Sequence, residues 1–443
     1  MPLKELSGLC TLSLFFSAEV SLLYPAHPRW IGSSSKLLAT RSLTIVSTIL
    51  QISDPKVLTE EVAKHFESIP DQRVLPSVEP GYLRPQIPEN PPAEPEAWAD
   101  IQKDVASKIK PGLTQWQSPN FMAFFPSTVT YPSILGEMYS AAFNAPAFNW
   151  LCSPACTELE TIVMDWVAKA IALPECFLST SSNGGGGVIQ GTASESVSVM
   201  MIAARERRIR EQALAEGIED GSEEYEDRIC DLRAKLIALG SDQAHSSTAK
   251  GALIAGTRFR TVKTRLEDNL ELTGDALRAV LEKIDEDGLT PFYITLNMGT
   301  TSSCAVDRFA EIKAVLSEKE HWKRIWVHID AAFAGAALVT EEYQYITQNF
   351  AEGVDSFNFN MHKWLLVNFD ARYGFPPNKM PSQIQRRKLT LGLAKAACSS
   401  ATVSTSPIPW TSRPPISATL TPTKAQSSTI ATGRFPWAVA SAV

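Results

Sequence analysis

The sequence predicts an α/β fold with a mostly parallel central sheet flanked by helices on both faces. Three observations point to it. Short apolar runs at 252–256, 291–296 and 325–330 read as strands. Helical stretches at 272–284 and 308–317 separate them, and strands alternating with amphipathic helices imply a parallel, doubly covered sheet. The chain has 443 residues, 44% of them hydrophobic, enough for a sizeable core and for two to three domains' worth of chain. Ligands of such sheets bind beyond the C-terminal ends of the strands, so the residues that follow each strand are where chemistry is sought.

The remaining elements follow in chain order. Residues 9–24 are apolar but hold Glu19, too short and too interrupted for a membrane span. Residues 29–41 are rich in Ser and basic side chains, which fits either a targeting segment or an incorrectly predicted first exon. Residues 59–66 read as an amphipathic helix with Thr59 as N-cap and Glu60 and Glu61 in its first turn. The Pro-rich stretch 70–95 has neither helical nor strand periodicity and reads as a segment that wraps another surface. Residues 98–109 read as a helix, and apolar residues recur at helical spacing through 162–173. Residues 197–239 read as one long charged helix with a break near Gly221.

The formal net charge of −7 is unevenly spread. Residues 371–443 hold nine Lys+Arg and no acid, so residues 1–370 carry 32 basic against 48 acidic side chains, a net −16. The acidic body argues against a nucleic-acid-coating protein or a basic membrane-surface patch. In the tail, 28 residues are Ser, Thr or Pro, a composition that does not order itself around a core. Seven cysteines, an odd number without close pairs, read as ordinary thiols of a reducing compartment. Cys152 and Cys156 could share a helical face, but no further ligand pair stands nearby to complete a zinc site, so no metal is expected.

Four features could carry chemistry. Asp330 ends the 325–329 strand, as a helix cap or a ligand contact, and the small Ala331 and Ala332 beside it would let a flat ring approach the backbone. Lys363 lies in Asn358-Phe-Asn-Met-His-Lys-Trp364; it is either a lysine snorkelling at an edge or, if buried, an amine pushed toward the neutral form that Schiff-base chemistry requires. Gly184 to Gly187 read as a flexible loop, and the following Gly191-Thr-Ala-Ser-Glu195 opens a helix. Thr192, Ala193 and Ser194 would offer N–H groups and hydroxyls to a phosphate, while Thr192 and Glu195 fit a capping box; the two readings are compatible. His245 sits in a polar loop before the 252–256 run. Together a lysine, a carboxylate, an anion-receiving helix start and an imidazole suggest pyridoxal 5'-phosphate.

At this point the sequence resembles a known family, the group II pyridoxal-phosphate-dependent decarboxylases, and within it the aromatic-L-amino-acid decarboxylases. The stretches that carry the resemblance are Ser68-Ile-Pro-Asp-Gln-Arg-Val-Leu-Pro76, Glu79-Pro-Gly-Tyr-Leu-Arg-Pro85, Ser153-Pro-Ala-Cys-Thr-Glu-Leu-Glu160, Gly191-Thr-Ala-Ser-Glu195, Ser241-Asp-Gln-Ala-His-Ser-Ser247, His328-Ile-Asp-Ala-Ala332 and His362-Lys-Trp-Leu-Leu-Val-Asn-Phe-Asp370. They span residues 58–370. The resemblance implies fold type I, the aminotransferase-like fold, in a cytoplasmic homodimer with sites at the subunit interface. It implies a carboxy-lyase that converts Tyr, Trp, Phe or dihydroxyphenylalanine to the amine and CO2, with no nucleic-acid or membrane partner. Histidine decarboxylase, aromatic aldehyde synthase or a non-catalytic cofactor-binding chain are the alternatives on the same scaffold.

By the same resemblance Lys363 would bind the cofactor covalently, Asp330 would pair with the ring nitrogen, and His245 would stack on the ring opposite Ala332. Thr192, Ala193, Ser194 and Asn360 would hold the phosphate, with Thr300 and His362 near the cofactor. Trp116, Phe124, Phe125, Pro126 and Ser127 would line the substrate pocket, and Phe148 would be donated by the neighbouring subunit. Trp364 matches the aromatic rather than the glutamate branch. Met361 replaces the proline that usually precedes His362, which would loosen the approach to Lys363.

The resemblance stops after Asp370. Shifting the frame so that each codon starts at the third base of the one given, 370–375 permits Cys-Ser-Leu-Trp-Val, 413–419 permits Pro-Ala-Tyr-Leu-Arg-Asn, and 428–440 permits Asp-Tyr-Arg-Asp-Trp-Gln-Ile-Pro-Leu-Gly-Arg-Arg. All three are family-like and in family order, so the tail reads as out of frame. The expected organisation is an unmatched extension at 1–57, a dimer-wrapping segment at 58–130, a large cofactor-binding domain at 131–370 and a disordered basic tail at 371–443. The C-terminal small domain and the catalytic loop would be lost, leaving a cofactor-binding core with poor activity.

Overall fold

A computed structural model describes residues 55–147, 149–182, 185–219, 221–369 and 372–375. Its sheet has seven strands: β1 (Val188–Gln190), β2 (Leu236–Ser241), β3 (Arg258–Val262), β4 (Thr290–Asn297), β5 (Trp326–Asp330), β6 (Ser356–Asn360) and β7 (Arg372–Phe375). They lie in the order β1-β7-β6-β5-β4-β2-β3. β3, β2, β4, β5 and β6 are parallel, and β7 inserts antiparallel between β6 and β1. Every residue of β2, β5 and β6 is buried, as expected of strands covered on both faces.

The helices are α1 (Pro55–Ser68), α2 (Trp98–Asp104), α3 (Tyr131–Phe143), α4 (Pro154–Ala170), α5 (Ala193–Ala215), α6 (Glu223–Lys235), α7 (Ser247–Ile254), α8 (Gly274–Glu286), α9 (Phe309–Leu316) and α10 (Met361–Trp364). Because side chains alternate along a strand, the sheet separates two cores. Leu239, Ile294, Leu296, Val327, Ile329 and Phe357 pack on one face with Val167 and Ala168 of α4, Leu277 and Leu281 of α8 and Ile312 of α9. On the other, Ala238, Tyr293 and Trp326 pack with Val197, Met201 and Ala204 of α5, Tyr225 and Leu232 of α6 and Ala252 of α7. The helices carry their own start signals: Ser222 caps α6 through the Tyr225 N–H, and Thr273 caps α8 through the Ala276 N–H.

Several local expectations give way. The stretch 197–239 breaks near Gly221 as expected, into two helices, but its end, read as helix, is β2, an interior strand. The run at 252–256, read as a strand, forms the end of α7, with Leu253 and Ile254 80% and 67% exposed. Both are short apolar runs in which periodicity does not separate strand from helix. Thr59 is not a cap, because the helix starts at Pro55, and proline is well suited to a first turn. The stretch 98–109 is helical throughout, but its second half, Val105–Ile109, widens into a π turn. Gly185 is not free loop: a Cβ there would lie 2.1 Å from the Cys176 carbonyl oxygen, so close packing requires glycine. The expectations for the N-terminal extension and the basic tail lie outside the described residues, apart from α1's first turn and β7.

Gly335 packs under β6. A Cβ on it would lie 2.6 Å from the Cβ of the fully buried Phe359 and 3.0 Å from that of Ala331. Gly335→Ala is therefore expected to cost about 1–3 kcal/mol by overpacking, read as a lowered urea midpoint with unchanged slope.

Candidate active site

The C-terminal ends of β2, β4, β5 and β6 open on a cavity of about 280 Å³. Local sequence explains why the polar groups collect there. β5 ends in Asp330, β6 in Asn360 followed by His362 and Lys363, β4 in Asn297 followed by Gly299 and Thr300, and β2 leads to His245 and Ser247. From the opposite side α5 brings its first residues, Ala193 and Ser194, to the wall. The segment before α3 closes it with Trp116, Phe124, Phe125, Pro126 and Ser127.

Asp330 is 7% exposed and its Oδ1 accepts from the Ala332 N–H at 3.0 Å and from Asn358 Nδ2 at 3.3 Å. Its Oδ2 has no protein donor among the described residues. Lys363 is half-buried, with Nζ 5.0 Å from the centre of the Phe125 ring. His245 Nδ1 accepts from the Ser247 N–H at 3.2 Å and lies 2.9 Å from the Ser247 hydroxyl, so the proton of the neutral ring sits on Nε2. Desolvation by the surrounding protein lowers the His245 pKa; the Asp330 charge works against it and Lys363 with it.

At the start of α5 the Thr192 hydroxyl accepts from the Glu195 N–H at 2.8 Å, and Glu195 Oε2 accepts from the Gly191 N–H at 2.9 Å. Thr192 is thus occupied as the cap and stands off the cavity wall. The Ala193 and Ser194 N–H groups precede the first intrahelical acceptor and have none among the described residues, which makes the helix start an anion site. Asn360, 3% exposed, carries a side-chain oxygen without a partner, and turning the carboxamide would offer its NH2 instead.

The lysine is held from far away in sequence. The Thr128 N–H and hydroxyl both donate to the His362 carbonyl at 2.9 Å, Thr130 donates to the Leu366 carbonyl at 3.0 Å, and Ser133 bonds Asn368 at 2.5 Å. Met361, where a proline was expected, is the first residue of α10, and this clamp fixes the approach to Lys363 from outside. The aromatic wall is continuous: Phe125 lies 4.4 Å from Phe333, which stacks on Trp364 at 5.5 Å, and Trp116 stacks on Phe124 at 5.8 Å.

Of the residues expected at the site, Lys363, His245, Asp330, Ala193, Ser194, Thr300, Ala332, Asn360, His362, Trp116, Phe124, Phe125, Pro126 and Ser127 share this cavity. Thr192 does not reach its wall, and Phe148 lies outside the described residues. Sequence reasoning missed Ser247, Asn297, Gly299, Thr301, Phe333 and Phe369. Asn297 had a signal, being the residue that directly follows the apolar run 291–296. Its N–H and Nδ2 donate to the buried Asp307 at 2.6 and 2.9 Å, and burial pushes the Asp307 pKa up to about 6 against those donors.

Pyridoxal phosphate fits these groups. Asp330 Oδ2 offers an unspent acceptor to a ring N–H, the α5 start and Asn360 suit a phosphate, Lys363 supplies an amine, and His245 and Ala332 line the same cavity. A mostly parallel sheet with such a site at its strand ends defines the fold of the type I pyridoxal-phosphate class. The pyridoxal-dependent decarboxylase conserved domain matches residues 80–374, and the chain belongs to that family. It is 43% identical to aromatic-L-amino-acid decarboxylase of Mus musculus over 71% of this chain and 62% of that one. Among solved structures it is similar to Catharanthus roseus tryptophan decarboxylase in complex with L-tryptophan, at 35% identity and a TM-score of 0.65 over 80% of this chain and 68% of that one. It is also similar to Rhodiola rosea 4-hydroxyphenylacetaldehyde synthase, at 34% identity and a TM-score of 0.66 over 76% and 67%. The chain spans about three fifths of the length of the curated relatives it matches.

Proposed function

We propose that the protein decarboxylates an aromatic L-amino acid with pyridoxal phosphate. The observation that carries the reading is one cavity in which Lys363, Asp330 and His245 face a continuous wall of Trp116, Phe124, Phe125 and Phe333. When bound, the cofactor supplies an electron sink for the charge left as the carboxylate is lost. Lys363 Nζ would anchor it, Asp330 Oδ2 would accept the ring N–H and keep the ring positive, and the Ala193 and Ser194 N–H groups with Asn360 would hold the phosphate. His245, neutral with its proton on Nε2, would cover one ring face and Ala332 the other. The aromatic wall excludes water and stacks on the substrate ring, each such pair contributing about 1 kcal/mol beyond burial.

The organisation follows from the same reading: a wrapping segment over 58–130, a cofactor-binding domain over 131–370, and a homodimer in the cytoplasm. In support, α3 has no buried residue, and Leu135, Met138 and Phe143 stand 53–65% exposed, an apolar face suited to a second copy. The five described cysteines are all free, and among the described residues no helix is long and apolar enough to cross a membrane. The reading frame shifts after Asp370 in this proposal. β7 is paired on both sides, yet its sequence Arg-Tyr-Gly-Phe is poorly suited to an interior strand, whereas the shifted frame supplies Leu-Trp-Val. Reading the gene across codons 368–375 tests that point.

Loaded with pyridoxal phosphate, the chain is expected to show a cofactor absorbance change with Tyr, Trp, Phe or dihydroxyphenylalanine, and amine product from the same compounds. A response to histidine or glutamate in preference to all four would overturn the assignment.

A further inference from the structure

Behind Asp330, β5 and β6 form a side-chain ladder that no reacting group uses. The strands pair in parallel register, His328 with Ser356 and Asp330 with Asn358, so alternation places Trp326, His328 and Asp330 of one beside Ser356 and Asn358 of the other. Trp326 Nε1 donates to Ser356 Oγ at 2.7 Å, and Ser356 Oγ lies 2.7 Å from His328 Nδ1. His328 Nε2 lies 2.6 Å from Asn358 Oδ1, and Asn358 Nδ2 donates to Asp330 Oδ1 at 3.3 Å. His328 and Ser356 are fully buried and Asn358 is 1% exposed.

Donor chemistry gives this ladder one direction. The carboxylate of Asp330 accepts only, so Asn358 faces it with NH2 and turns its oxygen to His328. That oxygen accepts only, so His328 carries its proton on Nε2, and Nδ1 accepts the Ser356 hydroxyl proton. At the far end the indole N–H donates only, and Ser356 oxygen receives it. In the reversed ladder Trp326 and His328 would both donate to Ser356, and its buried hydroxyl proton would have no acceptor among the described residues, at the cost of a stranded polar group. Burial holds His328 neutral, its pKa lowered to about 4 against the pull of Asp330 and Asn358, so a charged ring does not scramble the direction.

We propose that Trp326, Ser356, His328 and Asn358 are positioning residues: the indole N–H at one end and the carboxylate at the other fix the polarity of the ladder, which delivers an N–H to Asp330 Oδ1 and leaves Oδ2 to face the cofactor ring. The last clause rests on the function proposed above; the ladder itself does not. Its direction is read in the cofactor-free full chain by ¹⁵N NMR of selectively labelled histidines near neutral pH. The His328 signal, assigned as the one lost in His328→Gln, should report a proton on Nε2. Trp326→Phe, which keeps the ring and removes the N–H, takes away one of the two anchors and should lower the Nε2-protonated share of that signal, while the Asp330 end still favours it. A proton on Nδ1, or a charged ring, in the unaltered chain overturns the ladder whether or not any variant folds.

Cofactor affinity tests the coupling to the site. Asn358→Leu, of similar volume but without a donor, should weaken pyridoxal phosphate about tenfold, as expected for one lost hydrogen bond to a charged group, and Trp326→Phe by a smaller factor. Lost packing alone would lower the melting temperature and leave the His328 signal in place. If the folded Asn358→Leu chain binds the cofactor as the unaltered chain does, the ladder does not serve Asp330. If the unaltered chain binds no pyridoxal phosphate while His328 still carries its proton on Nε2, the functional reading fails and the ladder stands.

Discussion

Lys363→Ala is expected to abolish covalent retention of pyridoxal phosphate. After borohydride treatment the unaltered chain should carry one cofactor, located by mass on the peptide containing Lys363, and the variant none. Whatever amine production the protein supports should fall by ~10³-fold or more, the scale seen when a covalent centre is removed. The fold leaves little room for a substitute. Lys363 sits on a four-residue helix directly after β6, and the carbonyl before it receives both Thr128 donors. Among the described residues no other lysine lines the cavity. The half-buried Lys363 side chain contributes little to either core, so melting of the cofactor-free variant should match that of the unaltered chain. Retention by another lysine would overturn the role of Lys363 and leave the family assignment intact.

The parts of the site that sequence reasoning reached are those built from residues close together in the chain. Asp330 with Ala332, Ala193 with Ser194, and Asn360 with Lys363 each follow one strand or open one helix, so their joint presence at a strand end follows from strand order alone. The parts it missed depend on which distant elements touch. Thr128 meets His362 across 234 positions, and no local pattern announces that contact. The ladder was half visible, since His328 and Asp330 share a face by spacing, but Ser356 and Asn358 become partners only through the β5–β6 register. Secondary structure failed where apolar runs were short. Leu236–Ser241 is wholly buried and extended, whereas Ala252 points into the α5 packing while Leu253 and Ile254 face out, a split that a helix provides and a central strand does not.

Asp330→Asn carries the second large effect, and it separates charge from shape. The substitution keeps an oxygen for the Ala332 N–H and nearly the same volume, so folding should be little changed. What it removes is the negative charge that the proposed function sets against the ring nitrogen, and losing a preorganised electrostatic partner of that kind costs about 10²–10³ in rate. Rate alone would not show where the charge acts, because His245 also feels the charge of Asp330. A cofactor analogue with CH in place of the ring nitrogen supplies the missing comparison. The unaltered chain should hold pyridoxal phosphate about tenfold or more tighter than the analogue, the scale of one charge-assisted hydrogen bond. Asp330→Asn should bind the two with similar affinity, since the group that tells N–H from CH is gone. This is a double-mutant cycle with one arm on the ligand, and a coupling near zero would show that Asp330 serves the fold of the cavity and not the ring.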